Sequence, residues 1–110
     1  MELSYKANGS YTEVSASGRL NMVSAPKLRT FVADLVASGS NRIVVNLQDT
    51  TFMDSSGLGA LIGCLKAARQ AGGDLRIAAV QPQVKMVLEL TSMDRVLTSY
   101  ASADEAFGDE

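Results

Sequence analysis

A short run of apolar residues between two helical patterns constrains the fold more than any other feature of this chain. Residues 42–47 read R-I-V-V-N-L, a run that is β-branched and nearly continuous in apolar character. Such a run is typical of a central strand whose two faces are both covered by helices. Amphipathic helical patterns precede it at residues 24–39 and follow it at residues 58–71. The chain is therefore predicted to be an α/β protein.

Alternating and continuous apolar patterns predict the rest of the sheet. Four further strands are expected, at residues 3–7, 12–19, 75–80 and 96–100. An Asn-Gly turn joins the first two as a hairpin. Ser24 is the expected cap of the first helix, and Pro82 opens the third. Ser102 and Glu105 are expected to form a capping box for a short fourth helix. The predicted order is β-β-α-β-α-β-α-β-α, with a mixed, mostly parallel sheet of four to five strands and about four helices.

The composition narrows the class of protein. A chain of 110 residues is expected to form one domain, residues 1–110. Its net charge is −2, with acidic and basic residues interspersed along the sequence, and this argues against a nucleic-acid-binding surface. With one cysteine, Cys64, and no histidine, neither an intramolecular disulfide nor a Cys/His zinc site is possible. No signal peptide or membrane-spanning stretch is evident. We expect a soluble, cytoplasmic protein without a cofactor or bound metal, in which Cys64 is a small buried residue.

The turn T-F-M-D-S-S-G-L-G at residues 51–59 is the candidate functional site. The strand that ends at Leu47 is expected to lead into a loop at residues 48–56, and the next helix is expected to start near Ser56 or Gly57. A loop that leaves the carboxyl end of a buried strand is a favoured position for function in α/β sheets. The first N–H groups of that helix lack internal partners and carry partial positive charge. Asp54, Ser55 or Ser56 can be an ordinary helix cap here, with Gly57 allowing a tight turn. The same N–H groups would also stabilise a phosphate on a serine.

Catalysis at this turn is disfavoured by what the sequence lacks. A serine nucleophile needs a base, but the chain has no histidine and Ser56 is not in a G-x-S-x-G motif. A nucleotide-binding P-loop needs a lysine after its last glycine. In this chain no lysine follows Gly57 or Gly59. A phosphoacceptor serine requires no catalytic group from this chain, because another protein supplies the phosphate. We therefore expect a protein that is not an enzyme and whose partner docking changes when charge is added beside Asp54.

The turn and its context resemble the STAS domain, in particular the bacterial anti-sigma factor antagonists. Three segments carry the likeness, namely F-M-D-S-S-G-L-G after the I-V-V-N-L strand, S-G-R-L-N-M-V-S-A-P-K-L-R, and A-G-G-D-L-R-I-A-A-V-Q-P-Q-V-K-M-V-L-E-L-T-S-M. The resemblance covers residues 3–107. It implies an α/β STAS fold and a protein that binds an anti-sigma factor, itself a serine/threonine kinase of the histidine-kinase-like ATPase fold. Binding would free the sigma factor and turn transcription on.

The resemblance also implies a phosphorylation switch. The kinase would phosphorylate the second serine of D-S-S-G, Ser56, and the phosphorylated form would no longer hold the kinase. A metal-dependent phosphatase of the PPM type would reset it. In the family, the residue at the position of Asn21 helps recognition of the kinase. We expect the partner to contact the residues at and around the turn, namely Asn21, Met22, Met53, Asp54, Ser55, Gly57, Leu58, Gly59 and Lys66.

One departure from the family pattern is Asn21, which stands where the family commonly has Asp in G-x-L-D. Asparagine keeps the shape and hydrogen-bonding capacity of the family residue but loses its charge. Asn21 can equally be an ordinary turn residue before the first helix. Two alternatives to the switch stay open. One is a non-phosphorylated STAS adaptor subunit of a signalling or lipid-transport complex, and the other is a small-molecule or nucleotide binder that uses the helix N-terminus as an anion site.

Three smaller expectations concern how residues near the turn pack. Met22 and Met53 are expected to be partly exposed for docking, whereas Met86 is expected in the core. Gly59 and Gly63, four residues apart on the second helix, are expected to let the sheet approach closely.

Overall fold

The computed structural model describes residues 1–108, in which a six-stranded sheet is covered by four α-helices. The strands are β1 (Glu2–Asn8), β2 (Tyr11–Leu20), β3 (Arg42–Asn46), β4 (Thr50–Met53), β5 (Asp74–Ala78) and β6 (Ser99–Tyr100). The helices are α1 (Ala25–Ala37), α2 (Ser55–Gln70), α3 (Pro82–Leu90) and α4 (Ala103–Ala106), with a 3₁₀ turn at Met93–Arg95. The sequence-based domain prediction extends to residue 110, and its last two residues lie outside the described part of the chain.

The sheet is mixed and mostly parallel, which confirms the predicted fold class. Its strand order is β1-β2-β3-β5-β6, and β4 pairs separately with β2. The hairpin of β1 and β2 is antiparallel and closes where Asn8 faces Tyr11, whereas every other pair is parallel. Gly9 has a φ of +65°, a backbone conformation that glycine adopts without strain, so the Asn-Gly turn forms where it was predicted.

Two apolar clusters hold the layers together. The larger lies between one face of the sheet and helices α1, α2 and α3. The smaller lies on the opposite face, where Val44 and Ala78 meet Phe107 and the residues of α4. Within β3, Ile43 and Val45 face the larger cluster while Val44 faces the smaller one, and all three are fully buried. The prediction that this strand is covered on both faces is therefore confirmed.

Strand β4 is an addition to the predicted order, because residues 48–56 were interpreted as one loop. It pairs with the carboxyl end of β2, where the register of β2 shifts between Gly18 and Arg19. The hydroxyl of Thr50 is buried and donates to the carbonyl of Ala16 at 2.9 Å, so a polar residue is satisfied inside the sheet. This strand brings residues 50–53 alongside the end of β2, and that placement positions the turn that follows.

The carboxyl-terminal elements differ from prediction in two respects. The last strand contains only Ser99 and Tyr100, because the chain before it forms the 3₁₀ turn. The capping box of Ser102 and Glu105 is wrong, since the side chain of Ser102 makes no capping hydrogen bond to α4. Contacts from the sheet hold this single helical turn instead, including a stacked ring pair of Tyr11 and Phe107 at 5.8 Å between centroids. In residues 1–108, no helix is long and apolar enough to cross a membrane.

Candidate functional site

The D-S-S-G turn forms the N-terminus of α2, and Asp54 is its cap. The backbone of Asp54 is extended, and its Oδ1 accepts a hydrogen bond from the N–H of Gly57 at 2.9 Å. The helix begins at Ser55, slightly earlier than predicted. Of the three residues that could have capped the helix, the aspartate does so. Within the described part of the chain, the hydroxyls of Ser55 and Ser56 make no hydrogen bond, so both stay available for other chemistry.

Gly57 is required by close packing against β2. A Cβ on this residue would lie 2.8 Å from Cγ of Leu20 and closer still to the Leu20 carbonyl oxygen, well inside van der Waals contact. The same carbonyl accepts a hydrogen bond from the N–H of Asp54 at 3.3 Å. Gly57 itself has ordinary helical backbone angles, so the expectation that it supplies a tight turn is wrong. It instead lets the first turn of α2 seat directly on the end of β2.

A side chain from α3 clamps the outer edge of β4, and sequence reasoning missed it. Oε1 of Gln83 accepts from the N–H of Met53 at 2.8 Å, and its Nε2 donates to the Met53 carbonyl at 3.0 Å. The amide thus pairs with β4 as a neighbouring strand would, immediately before the capping residue Asp54. The available signal was a glutamine in the first turn of a helix, which is too common to indicate such a role.

Asn21 forms the turn between β2 and α1, next to the start of α2. Its Oδ1 accepts hydrogen bonds from the N–H groups of Val23 at 3.0 Å and Ser24 at 3.2 Å. The interpretation of Asn21 as a turn residue is therefore confirmed. Ser24 is the N-cap residue of α1, as predicted, but its hydroxyl makes no capping bond and donates to the carbonyl of Arg19 at 2.6 Å. An aspartate at position 21 could accept the same two bonds, so asparagine changes the outward-facing group from a carboxylate oxygen to an amide N–H₂.

Exposure divides the predicted partner-contact residues into two groups. Met22 is 72% exposed, as predicted, and its neighbour Val23, which was not predicted, is 79% exposed. Met53 is only 1% exposed, so the expectation that it is partly exposed for docking is wrong. It is the last residue of β4, and its side chain packs in the larger apolar cluster.

The other predicted contact residues divide in the same way. Leu58 is 8% exposed and faces the core, and Gly57 is buried against β2. These two residues lie beneath the surface of the site and support it. Ser55, Gly59 and Lys66 are exposed, and Asn21, Asp54 and Ser56 are partly exposed. The exposed and partly exposed residues are thus the part of the predicted set that a partner could touch.

Further packing predictions near the site are also wrong. Met86 is half exposed on α3 and does not lie in the core. Gly59 and Gly63 face α1, because a Cβ on either would contact the guanidinium of Arg29, at 3.7 and 3.8 Å.

Cys64 lies beneath this face of α2 and is buried, as predicted. Burial raises the pKa of its thiol to about 11, and the nearby Arg29 guanidinium opposes this only in part. The thiol is therefore protonated at neutral pH and unsuited to redox chemistry. In the region that the structure describes, no cluster of three or more metal-ligating side chains occurs.

Comparison with known proteins relates the whole architecture to one family. The STAS domain family model matches residues 2–106. Over 83 residues the chain is 32% identical to the anti-sigma-B factor antagonist of Staphylococcus aureus (strain NCTC 8325 / PS 47), a match that spans 76% of this chain and 77% of that one.

Solved structures agree with this relation. An anti-sigma factor antagonist from Mycobacterium paratuberculosis superposes with a TM-score of 0.86 at 25% identity, over 98% of this chain and 92% of that one. The anti-sigma factor antagonist SpoIIAA in its unphosphorylated form shares the fold with a TM-score of 0.82 at 18% identity, over 98% and 95% of the two chains. SpoIIAA has also been solved in a phosphorylated form.

Proposed function

Because the chain belongs to the STAS domain family, we propose that it is an anti-sigma factor antagonist switched by phosphorylation of Ser56. In its unphosphorylated form it binds an anti-sigma factor that is also a serine kinase of the histidine-kinase-like ATPase fold, and the sigma factor is released. Phosphorylation by that kinase ends the interaction, and a PPM-type phosphatase restores it. The chain itself catalyses nothing, and it acts in the cytoplasm.

The observation that supports this proposal most is that Asp54 and Ser56 have different roles at the start of α2. Asp54 caps the helix, which leaves the Ser56 hydroxyl partly exposed and without a hydrogen bond in residues 1–108. Because Asp54 makes the capping bond, phosphorylation of Ser56 breaks none. A phosphate here also lies near the positive end of the helix dipole, which favours negative charge by about 0.3–1 kcal/mol. Phosphorylation can therefore change the surface without unfolding the helix.

The surface around Ser56 is suited to burial against a partner. We define the docking face as Asn21, Met22, Val23, Asp54, Ser55, Ser56, Gly59 and Lys66. Met22 and Val23 are large apolar side chains left mostly in water, and their loop adjoins α2 because Leu20, which precedes it, contacts Gly57. Exposed apolar side chains at a polar rim are typical of protein–protein contact sites.

Phosphorylation would make it energetically unfavourable to bury this face against a partner. A phosphate adds about −1.5 to −2 charges beside the carboxylate of Asp54. A partner that covers Met22 and Val23 must then remove water from these charges, and the desolvation cost can exceed any attraction gained. Loss of binding follows from charge alone, without a change of fold.

Asn21 favours one competing function, the non-phosphorylated STAS adaptor. Its side-chain oxygen is already engaged by the turn, and it offers a partner an uncharged amide where the family commonly has a carboxylate. A chain adapted to a different, constant partner would show such a change. This adaptor would dock the same face without any dependence on Ser56.

Variants of Ser56 separate the two functions. Ser56→Ala, Ser56→Asp and the matched control Ser55→Ala are used as baits in a lysate of the native cells, and the retained proteins are identified by mass spectrometry. The switch predicts that both alanine variants retain an ATPase-fold kinase and that Ser56→Asp does not. The recovered kinase with ATP should then phosphorylate the unmodified chain at Ser56, while Ser56→Ala stays unmodified. Equal retention by Ser56→Ala and Ser56→Asp would support the adaptor instead.

A further inference from the structure

Arg29 of α1 lies across the two glycines of α2 that follow the phosphorylation turn. A Cβ on Gly59 would be 3.7 Å from Nη2 of Arg29, and one on Gly63 would be 3.8 Å from its Nε. The guanidinium therefore rests on the surface of α2 along one helix face. Side chains longer than alanine at either position would occupy its place.

The two glycines carry a cost that this arrangement explains. Each glycine inside a helix is about 1 kcal/mol less favourable than alanine. Neither Gly59 nor Gly63 has a positive φ, so neither is required by the backbone. What they provide is room for Arg29 on α2. Arg29 is exposed and forms no salt bridge across residues 1–108, so its cation lies on α2 without a carboxylate partner.

The orientation of the guanidinium points it toward the start of α2. Nη2, at the tip of the side chain, lies nearest Gly59, and Nε lies nearest Gly63, one turn further along the helix. Ser56 precedes Gly59 by three residues, so both are on the same face, with about 5–6 Å between their Cβ positions. A phosphate on Ser56 extends several ångströms from the helix and can reach Nη2 by ordinary rotamer changes.

We propose that Arg29 is the intramolecular counterion of phosphorylated Ser56, binding the phosphate across the α1–α2 groove. The inference rests on the proposed function, in which Ser56 is the modified residue. Guanidinium groups bind phosphate oxygens through two parallel hydrogen bonds, which fixes the anion in place. Phosphorylation then changes the docking face twice, because it adds the phosphate and withdraws the free cation of Arg29 from any partner.

Other cations near the site are distant, engaged or face elsewhere. Lys66, also on α2, is ten residues from Ser56, about 15 Å along the helix axis. The guanidinium of Arg19 stacks over the ring of Phe52 at 4.4 Å from its centroid. Lys27 is two residues from Arg29 on α1, so it faces away from α2, and it lines a groove with Met1 and Leu3 of the β1 side. These two residues are therefore matched controls, equal to Arg29 in charge but different in placement.

The test needs no kinase, since phosphoserine can be incorporated at position 56 during translation. The second pKa of the phosphate, about 6 in an ordinary phosphoserine, is measured by ³¹P NMR titration in the full chain. It is compared across Arg29→Gln, Arg29→Lys, Lys27→Gln and Arg19→Gln. Unphosphorylated Arg29→Gln is checked by circular dichroism to confirm that it is folded. The Nε–H signal of Arg29 is followed with and without the phosphate.

Pairing predicts that Arg29→Gln raises the phosphate pKa by about 0.5 unit, because a nearby cation favours the dianion. Arg29→Lys should recover part of this shift, and the two control variants should change it by much less. The Arg29 Nε–H signal should move on phosphorylation. Equal pKa values in the unaltered chain and Arg29→Gln, or equal effects of Arg29→Gln and Lys27→Gln, would overturn the inference.

These results are separable from those of the bait experiment. If Ser56→Asp does not retain the kinase but the phosphate pKa is the same with and without Arg29, the switch stands and the counterion inference fails. If the titration depends on Arg29 but Ser56→Asp keeps its partner, the pairing stands and the proposed function fails.

Discussion

Replacing Gly57 with alanine tests whether the first turn of α2 is seated on β2 as closely as the structure indicates. The added methyl group would lie 2.8 Å from Cγ of Leu20 and closer still to its carbonyl oxygen. The side chain of Leu20 could rotate, but its carbonyl belongs to the backbone and accepts the Asp54 N–H bond. The helix must therefore move away from β2 by roughly an ångström, weakening that hydrogen bond.

Three contributions determine the expected change in the free energy of unfolding. Overpacking costs about 1–3 kcal/mol, and the weakened hydrogen bond costs about 1 kcal/mol. Alanine returns about 1 kcal/mol through its higher helix propensity. Gly57→Ala should therefore lower the free energy of unfolding by about 1–3 kcal/mol, and it should also weaken partner binding, because Ser56 moves with the helix.

The matched control is Gly59→Ala, two residues along the same helix. Its Cβ would meet only Arg29, at an ordinary contact distance of 3.7 Å, so alanine should be neutral or stabilise by up to about 1 kcal/mol. Urea unfolding followed by circular dichroism measures both variants. Equal stability of Gly57→Ala and the unaltered chain, or an equal loss in Gly59→Ala, would refute the close seating of α2.

Three further changes test other parts of the account. Gln83→Ala removes both hydrogen bonds to Met53 and should destabilise by about 1–2 kcal/mol, with faster amide exchange at Met53; an equal loss in the exposed control Gln70→Ala would contradict the clamp. Because the pKa of Cys64 is raised from 9.0 to about 11 on folding, the free energy of unfolding should fall by up to about 3 kcal/mol as the pH rises between those values, and urea melts of Cys64→Ala should lack this component. Asn21→Ala should lose about 1 kcal/mol of turn and helix stabilisation, whereas Asn21→Asp should retain it; equal thermal melting of the two variants would remove the turn role.

Much of the fold was predictable because the long strands and helices carry strong periodic patterns. Strand β4 was not, since four residues beginning with two threonines show no clear alternation, and the buried Thr50 is satisfied only by a carbonyl of β2. The last strand was predicted to be longer than it is, for a related reason. Val96 and Leu97 read as strand residues, but local hydrogen bonds fold this segment into the end of the 3₁₀ turn.

The location of the site was predictable, but the roles of its residues were only partly so. Asp54, Ser55 and Ser56 are all good helix caps, and only the hydrogen bond to Gly57 distinguishes them. Met53 was expected to be partly exposed because its segment was interpreted as a loop, and strand β4, which places its side chain in the core, was not predicted. The contact of Arg29 with α2 depends on the packing of two helices, which residue spacing within one helix cannot show.

The most direct test of the charge switch is the affinity of the anti-sigma factor for two forms of the full chain. The protein retained by the Ser56→Ala bait is titrated by calorimetry against the unmodified chain and against the chain with phosphoserine at position 56. Phosphoserine at position 55 serves as the positional control. The charge switch predicts that phosphorylation of Ser56 weakens binding by at least about 2 kcal/mol, roughly a 30-fold loss of affinity. Equal dissociation constants for the two forms would contradict it.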